Sequence, residues 1–360
     1  MKQKEGWCAV KFSRRGFLKT VAAMGAAAFL DTYGVELAEA INEVKDYWHI
    51  CWLNGSACTG CTISFAQSVN PGLIEIFTSI LVGNSGLPIV LPDYMETLQP
   101  ASGTLAEELI NRWKKGSKGR RILIVEGAVS RKKGYCTIHG KDFYEHLLDV
   151  VPYADHIIAF GACACFGGVP SAKPNPSNVC GVEEFLKERG INKTVINIPC
   201  CPGNPDHLVI TLAAVMLGEN IELDRYNRPK VFFGKLMHDN LCPYRPYYDR
   251  GIFAEKPGEE GCRYKIGCKG PMTHTDCALR KWNGHVSYCV EVGAPCIGCA
   301  EPGFPDDFEP FYKPVAELPS VLGFGPEKIG EGILAATAAG IAIHAVRHVA
   351  SKGKEEKKEK

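Results

Sequence analysis

The sequence predicts an open parallel α/β sheet, then a smaller and mostly irregular cysteine-rich region, then a C-terminal transmembrane helix. Three observations carry this. Between Tyr47 and Arg228, short β-rich apolar runs alternate with helical patterns, as in strand–helix–strand units that build a parallel sheet. After Arg228-Pro229 the helical periodicity stops, and residues 231–315 are dense in Gly, Pro, Cys and aromatic residues. Near the end, Gly332 to Ala350 is a nearly continuous apolar run, and roughly 19 residues just reach the minimum for a spanning helix.

The strands predicted are Trp48–Leu53, Arg121–Val125, His156–Phe160 and Thr194–Ile198. Helical patterns cover Cys61–Val69, Leu105–Lys115, Phe143–Val150, Val182–Arg189 and Asp206–Leu217. In open sheets of this kind, ligands collect beyond the carboxyl ends of the strands. The cysteines obey that rule: Cys58 and Cys61 follow the first strand, Cys163 follows HIIAF and Cys201 follows VINIP. A C-x2-C pair alone fits zinc or a redox dithiol equally well. Four cysteines converging on one sheet edge favour an iron–sulfur cubane, which takes four thiolates.

With 360 residues and 46% hydrophobic content, the chain can bury one core and has the length for two domains. A net charge of +1 gives no nucleic-acid footprint. Seventeen cysteines far exceed ordinary usage. A disulfide framework belongs to small secreted domains that lack a core, whereas C-x2-C, C-x5-C and H-x3-C spacings point to metal. Two further groups of four donors follow the first: His238, Cys242, Cys262 and Cys268, then Cys277, Cys289, Cys296 and Cys299. An irregular segment becomes a viable folding unit when metal-binding free energy serves as folding free energy. The GCKGP, TDC and PCIGC runs therefore read as ligand loops. Cys299 is followed closely by Pro302, as ferredoxin ligand runs end near proline. On spacing alone His238 fits a surface histidine better; it gains weight because Cys242, Cys262 and Cys268 make only three ligands. Cys165 lies two residues past Cys163 and Cys200 adjoins Cys201, so each competes with its neighbour on spacing. Together with Cys8, Cys51, Cys136 and Cys180 they are assigned as small apolar residues. Glu126 in VEGAV fits a proton or interface carboxylate, and equally a polar residue closing a strand end.

The N-terminus carries Ser13-Arg14-Arg15-Gly16-Phe17-Leu18-Lys19, an apolar stretch from Val21 to Leu30, and Ala38-Glu39-Ala40. This is the pattern of a twin-arginine export signal with its cleavage site, and its apolar part is too short to span a bilayer. The predicted division is a signal over 1–40, a sheet domain over 41–229, a cluster domain over 230–318, a membrane anchor over 330–350 and a charged cytoplasmic tail over 351–360. Small residues in the anchor suit close helix packing in lipid, and the lysine-rich tail favours the cytoplasmic side. An amphipathic helix docked on a partner is the competing reading, because His344, Arg347 and His348 interrupt the run.

Taken together, SRRGFLK, WLNGSACTGCT, VEGAV, GACACFGGVPSAKPNPS, NIPCCPGNPD, MHDNLCPYRPYYDRGIFA, CRYKIGCKGP, TDC, WN and PCIGCAEPGF resemble the small subunit of a membrane-bound, uptake-type NiFe hydrogenase. The resemblance spans nearly the whole chain. It implies a flavodoxin-like first domain and a separate large subunit holding the nickel–iron site. It also implies a relay of electrons from H2 oxidation to an integral cytochrome b or equivalent quinone-type acceptor, at the cell membrane on its periplasmic or extracytoplasmic side. By position it implies a proximal 4Fe–4S cluster on Cys58, Cys61, Cys163 and Cys201, and a distal 4Fe–4S cluster on His238, Cys242, Cys262 and Cys268. The medial cluster would use Cys277, Cys296 and Cys299. Cys289 stands where many relatives have proline, so a medial 4Fe–4S cluster is expected, with 3Fe–4S the outcome if Cys289 is not a ligand. The chain departs from the family pattern in four ways. Three residues separate His238 from Cys242 where two are common. Cys200 replaces a usual glycine, and Ile63 a commonly acidic residue. Gly60 and Gly168 stand where oxygen-tolerant relatives carry extra cysteines, which suggests an ordinary proximal cubane. The competing functional readings are a stand-alone multi-cluster ferredoxin-like carrier and a zinc-stapled structural protein.

Overall fold

Parallel strands β1 (Trp48–Asn54), β2 (Val90–Met95), β3 (Arg121–Glu126), β4 (His156–Phe160) and β5 (Val195–Ile198) form one sheet in the order β2-β1-β3-β4-β5. This is the flavodoxin-type order, which reverses direction between β1 and β3 and opens a ligand crevice there. The computed structural model describes residues 48–313, apart from 70–71, 74–75, 77–89, 117–119, 241 and 283, together with residues 334 and 336–344.

The sequence pattern predicts four of the five strands and misses β2. Pro92 and Asp93 break the apolar run VLPDYM, and an edge strand tolerates both because proline need not donate to a ladder there. Asp93 is instead satisfied by His49, whose Nδ1 lies 2.7 Å from its carboxylate. The pairing slips between Ile50 and Cys51 beside it.

The central strands are buried almost throughout, as a sheet covered on both faces requires, and successive side chains point to opposite faces. Ile50, Trp52, Ile122, Ile124, Ile158, Phe160, Ile196 and Ile198 point to one face; Cys51, Leu53, Leu123, Val125, Ile157, Ala159 and Val195 point to the other. The second face is covered by α2 (Thr104–Lys114), α3 (Phe143–Val150) and α5 (Val182–Glu188). The first is covered by α1 (Gly60–Ala66) and α6 (Pro205–Met216). The sequence pattern also misses α4 (Ala162–Phe166), a single turn after β4. Helix α6 starts where Asn204 accepts from the Asp206 N–H at 3.0 Å and Pro205 fills the first turn.

The region after Arg228 has only single turns: α7 (Lys230–Phe233), α8 (Met237–Asn240), α9 (Arg245–Asp249), α10 (Cys277–Arg280) and short 3-10 segments. Its Phe232, Phe233, Met237, Cys277, Tyr288, Val290, Cys296 and Ala300 pack into the same core as the α6 face of the sheet. Two buried arginines clamp it there. Arg228 donates to Asp224 at 2.8 Å and to the Ala300 carbonyl at 2.8 Å, with Glu301 3.2 Å away. Arg280 binds Asp276 at 2.7 and 3.0 Å, and Asp276 in turn holds His207 of α6 at 2.6 Å.

The described residues up to Lys313 form one compact unit, and those beyond it belong to a second. In the second, residues 334 and 336–344 are helical, with Leu334, Ile341 and Ile343 exposed. No helix among the described residues is long and apolar enough to cross a membrane. Most of the predicted 330–350 anchor lies outside the described residues, as do the signal over 1–40 and the tail over 351–360.

Candidate metal centres

The first group of cysteines stands at the switch point of the sheet. Cys58 and Cys61 sit in the turn from β1 into α1, Cys163 in α4 just beyond β4, and Cys201 just beyond β5. Glu126, the last residue of β3, builds the turn. Its buried carboxylate accepts from the Cys61 N–H at 3.0 Å, the Thr62 N–H at 3.1 Å and Trp52 Nε1 at 3.2 Å, and from the Thr62 hydroxyl. Its bonds here are those of a strand-end residue that anchors the ligand turn. Gly161 is obligatory: its φ is 94°, and a Cβ there would overlap Cys61 Sγ. The Gly203 N–H donates to that same sulfur at 3.3 Å.

These thiols press on one another. Burial, then Glu126, Cys163 and Cys201, push Cys61 well above the ordinary thiol range. Burial and Cys58 raise Cys163 to about 11, and burial with Cys299, Cys163 and Cys58 raises Cys201 to about 12. Thiols crowded this way resist ionising until a metal replaces their protons.

The second group lines one cavity: His238, Cys242, Cys262 and Cys268, together with Tyr244, Arg263 and Val290. The extra residue between His238 and Cys242 does not part them, because α8 ends between the two. His238 Nε2 is buried with no hydrogen-bond partner, an arrangement that calls for a ligand. Burial and the Arg245 cation lower its pKa, which keeps the imidazole neutral as a metal ligand must be. Cys268 Sγ accepts from the Cys296 N–H at 3.3 Å.

The third group lies between the other two. Cys277 and Cys296 are buried and belong to the sheet-face core, with Cys299 packed against it. Cys289 is exposed as a residue, yet burial around its thiol, then Cys299 and Cys277, push it up to about 12. The structure therefore brings all three predicted groups together. One cysteine assigned as a plain apolar residue also belongs here: the buried Cys200 thiol is hydrogen-bonded to Cys277 and Cys299. Its sequence signals were adjacency to Cys201 and its place at a position where glycine is usual. Of the others, Cys165 donates to the Ala159 carbonyl at 3.3 Å and Cys180 to the Val129 carbonyl at 3.7 Å.

A single zinc ion would need its donors about 2.3 Å from one point. Among the described residues no three His, Cys, Asp or Glu side chains converge that tightly.

Comparison with known proteins agrees region by region. Residues 58–215 match the family described as NADH ubiquinone oxidoreductase, 20 Kd subunit. Residues 233–312 match the family described as the C-terminal part of the NiFe/NiFeSe hydrogenase small subunit. The chain is 38% identical to the F420 non-reducing hydrogenase II small subunit of Methanosarcina mazei, over 94% of each chain. It is 35% identical to the quinone-reactive Ni/Fe-hydrogenase small chain of Wolinella succinogenes, over 95% of this chain and 97% of that one. Among solved structures, the H2-activated NiFeSe hydrogenase of Dm. baculatum aligns with a TM-score of 0.69 at 34% identity, covering 75% of this chain and 100% of that one. A sheet with thiols at its switch point, a thiol-filled region clamped to it and relatives that span nearly the full length lead to one conclusion: this chain belongs to the small-subunit family of NiFe hydrogenases, the electron-transfer part of that enzyme.

Proposed function

We propose that the twelve donors hold three iron–sulfur clusters in the order proximal, medial, distal. The proximal set is Cys58, Cys61, Cys163 and Cys201; the medial set is Cys277, Cys289, Cys296 and Cys299; the distal set is His238, Cys242, Cys262 and Cys268. Such clusters supply one-electron carriage when bound. The observation that carries this reading is the distal cavity, where an unsatisfied buried imidazole nitrogen faces the same space as three thiols. The residues do the rest. Glu126 fixes the proximal turn, and N–H donors from Gly203 and Cys296 steady the sulfurs of Cys61 and Cys268. Arg228 and Arg280 hold the medial loops against the sheet.

The rim beside the proximal set is apolar and exposed at Ile63, Val69 and Val169, which suits burial against the large subunit. Ile63 thus suits a partner contact at its usually acidic position. Export by the 1–40 signal, anchoring by 330–350 and delivery to a cytochrome b or quinone-type acceptor complete the proposal. The Wolinella relative described as quinone-reactive supports the acceptor, and relatives described as periplasmic support the compartment.

The test is to purify the complex with its large subunit and measure iron, labile sulfide and EPR. Three four-iron clusters predict about twelve iron atoms from this chain, in addition to the iron of the large subunit's nickel–iron site, and no strong three-iron signal after mild oxidation. Such a signal would contradict the four-thiolate medial set, and His238→Ala should perturb the distal spectrum alone.

A further inference from the structure

Cys200 lies in the turn between β5 and α6, directly before the proximal donor Cys201. Its φ is 113°, a conformation that glycine adopts freely and other residues avoid. Its carbonyl is pinned by the Ala162 N–H at 2.8 Å. Its side chain is fully buried in the core that contains Cys277 and Cys296 and against which Cys299 packs. There the thiol bonds to Cys277 and Cys299, while the Cys201 N–H donates to Cys299 as well. One dipeptide thus carries a proximal donor and touches two medial donors. A plain filler at this φ would be glycine, which adopts it without strain.

We propose that the Cys200 thiol is a positioning residue that donates its single S–H hydrogen bond into the Cys277–Cys299 sulfur pair and so raises the reduction potential of the medial centre. The proposal rests on the cluster assignment above. Its physical basis is that hydrogen bonds to cluster sulfurs stabilise the reduced, more negative state.

The test is an EPR-monitored redox titration of the intact complex as wild type, Cys200→Gly, Cys200→Ala and Cys200→Ser. Glycine fits the backbone, so Cys200→Gly should fold and keep full iron. Cys200→Gly and Cys200→Ala should lower the medial midpoint, cutting the reduced-to-oxidised ratio at the wild-type midpoint roughly threefold to tenfold, where tenfold is 59 mV for one electron. The distal midpoint should stay put, and Cys200→Ser, which keeps a donor, should restore most of the shift. An unmoved medial midpoint at full iron content overturns this proposal alone. A new three-iron signal in Cys200→Gly overturns it too, since Cys200 would then be a ligand. A wild-type complex short of iron for three centres removes the underlying cluster assignment first.

Discussion

The sheet region and the cysteine-rich region solve opposite problems. Up to Met216 the backbone satisfies itself through a five-stranded ladder and its helices, and the proximal donors are placed by strand ends that would exist without them. From Lys230 to Lys313 the described residues have single helical turns and isolated bridges, and the order comes from the shared core, two arginine clamps and the sulfur groups themselves. In the first region the fold positions the centre. In the second, on the proposed reading, the centres help to hold the fold.

The largest effect should come from removing iron. Amides of 237–299 should lose hydrogen-exchange protection while β1, β3 and β4 keep theirs, because bound metal supplies folding free energy only where the backbone lacks it. Equal loss in both regions would erase the contrast. Next is Arg280→Ala, which strands buried Asp276 without its cation and should cost about 3–5 kcal/mol in denaturant unfolding, with the medial signal broadened before the proximal one.

Acid should act at the same clamp. Burial pushes the Asp276 pKa up, but Arg280 and His207 outweigh it and hold the carboxyl at about 2, against 3.8 when free. A lowered folded pKa means the stabilisation is present above about pH 4 and is lost as pH falls towards about 2, on the order of 2 kcal/mol. Burial also lowers the His207 pKa, so its protonation in the unfolded chain begins the loss below about pH 6.5. Asp276→Asn should flatten the acid limb of a stability–pH curve.

Glu126→Gln should cost about 1–3 kcal/mol by weakening the acceptor of several buried donors. It should reduce proximal iron while the distal spectrum persists; loss of both would make the sheet and cluster regions one cooperative unit. Smallest is Arg131→Ala, which breaks a surface pairing with Glu184 and Glu188 and should change stability by under about 1 kcal/mol with no spectral change.

Legibility followed the same divide. HIIAF and FYEHLLDV were predicted to the residue because their apolar periods are unbroken. The edge strand β2 was hidden by Pro92 and Asp93, and α4 by being one turn long. In the second region the irregularity itself was legible, and so was the local H-x3-C, C-x5-C and C-x2-C spacing of its cysteines. Its attachment to the sheet was not, because Arg228 and Arg280 read as ordinary surface charges until their buried carboxylate partners are seen.

The amino-acid order alone determined the alternation of strands and helices, the spacing of the cysteines and the place where regular structure ends, because these depend on local periodicity and spacing. Only the tertiary structure decided that Glu126 anchors the proximal turn, that His238 and Cys242 share one cavity, and that Cys200 reaches the medial thiols. Each of those joins residues distant in sequence or sets a side chain's direction, and both are fixed by packing rather than by local propensity.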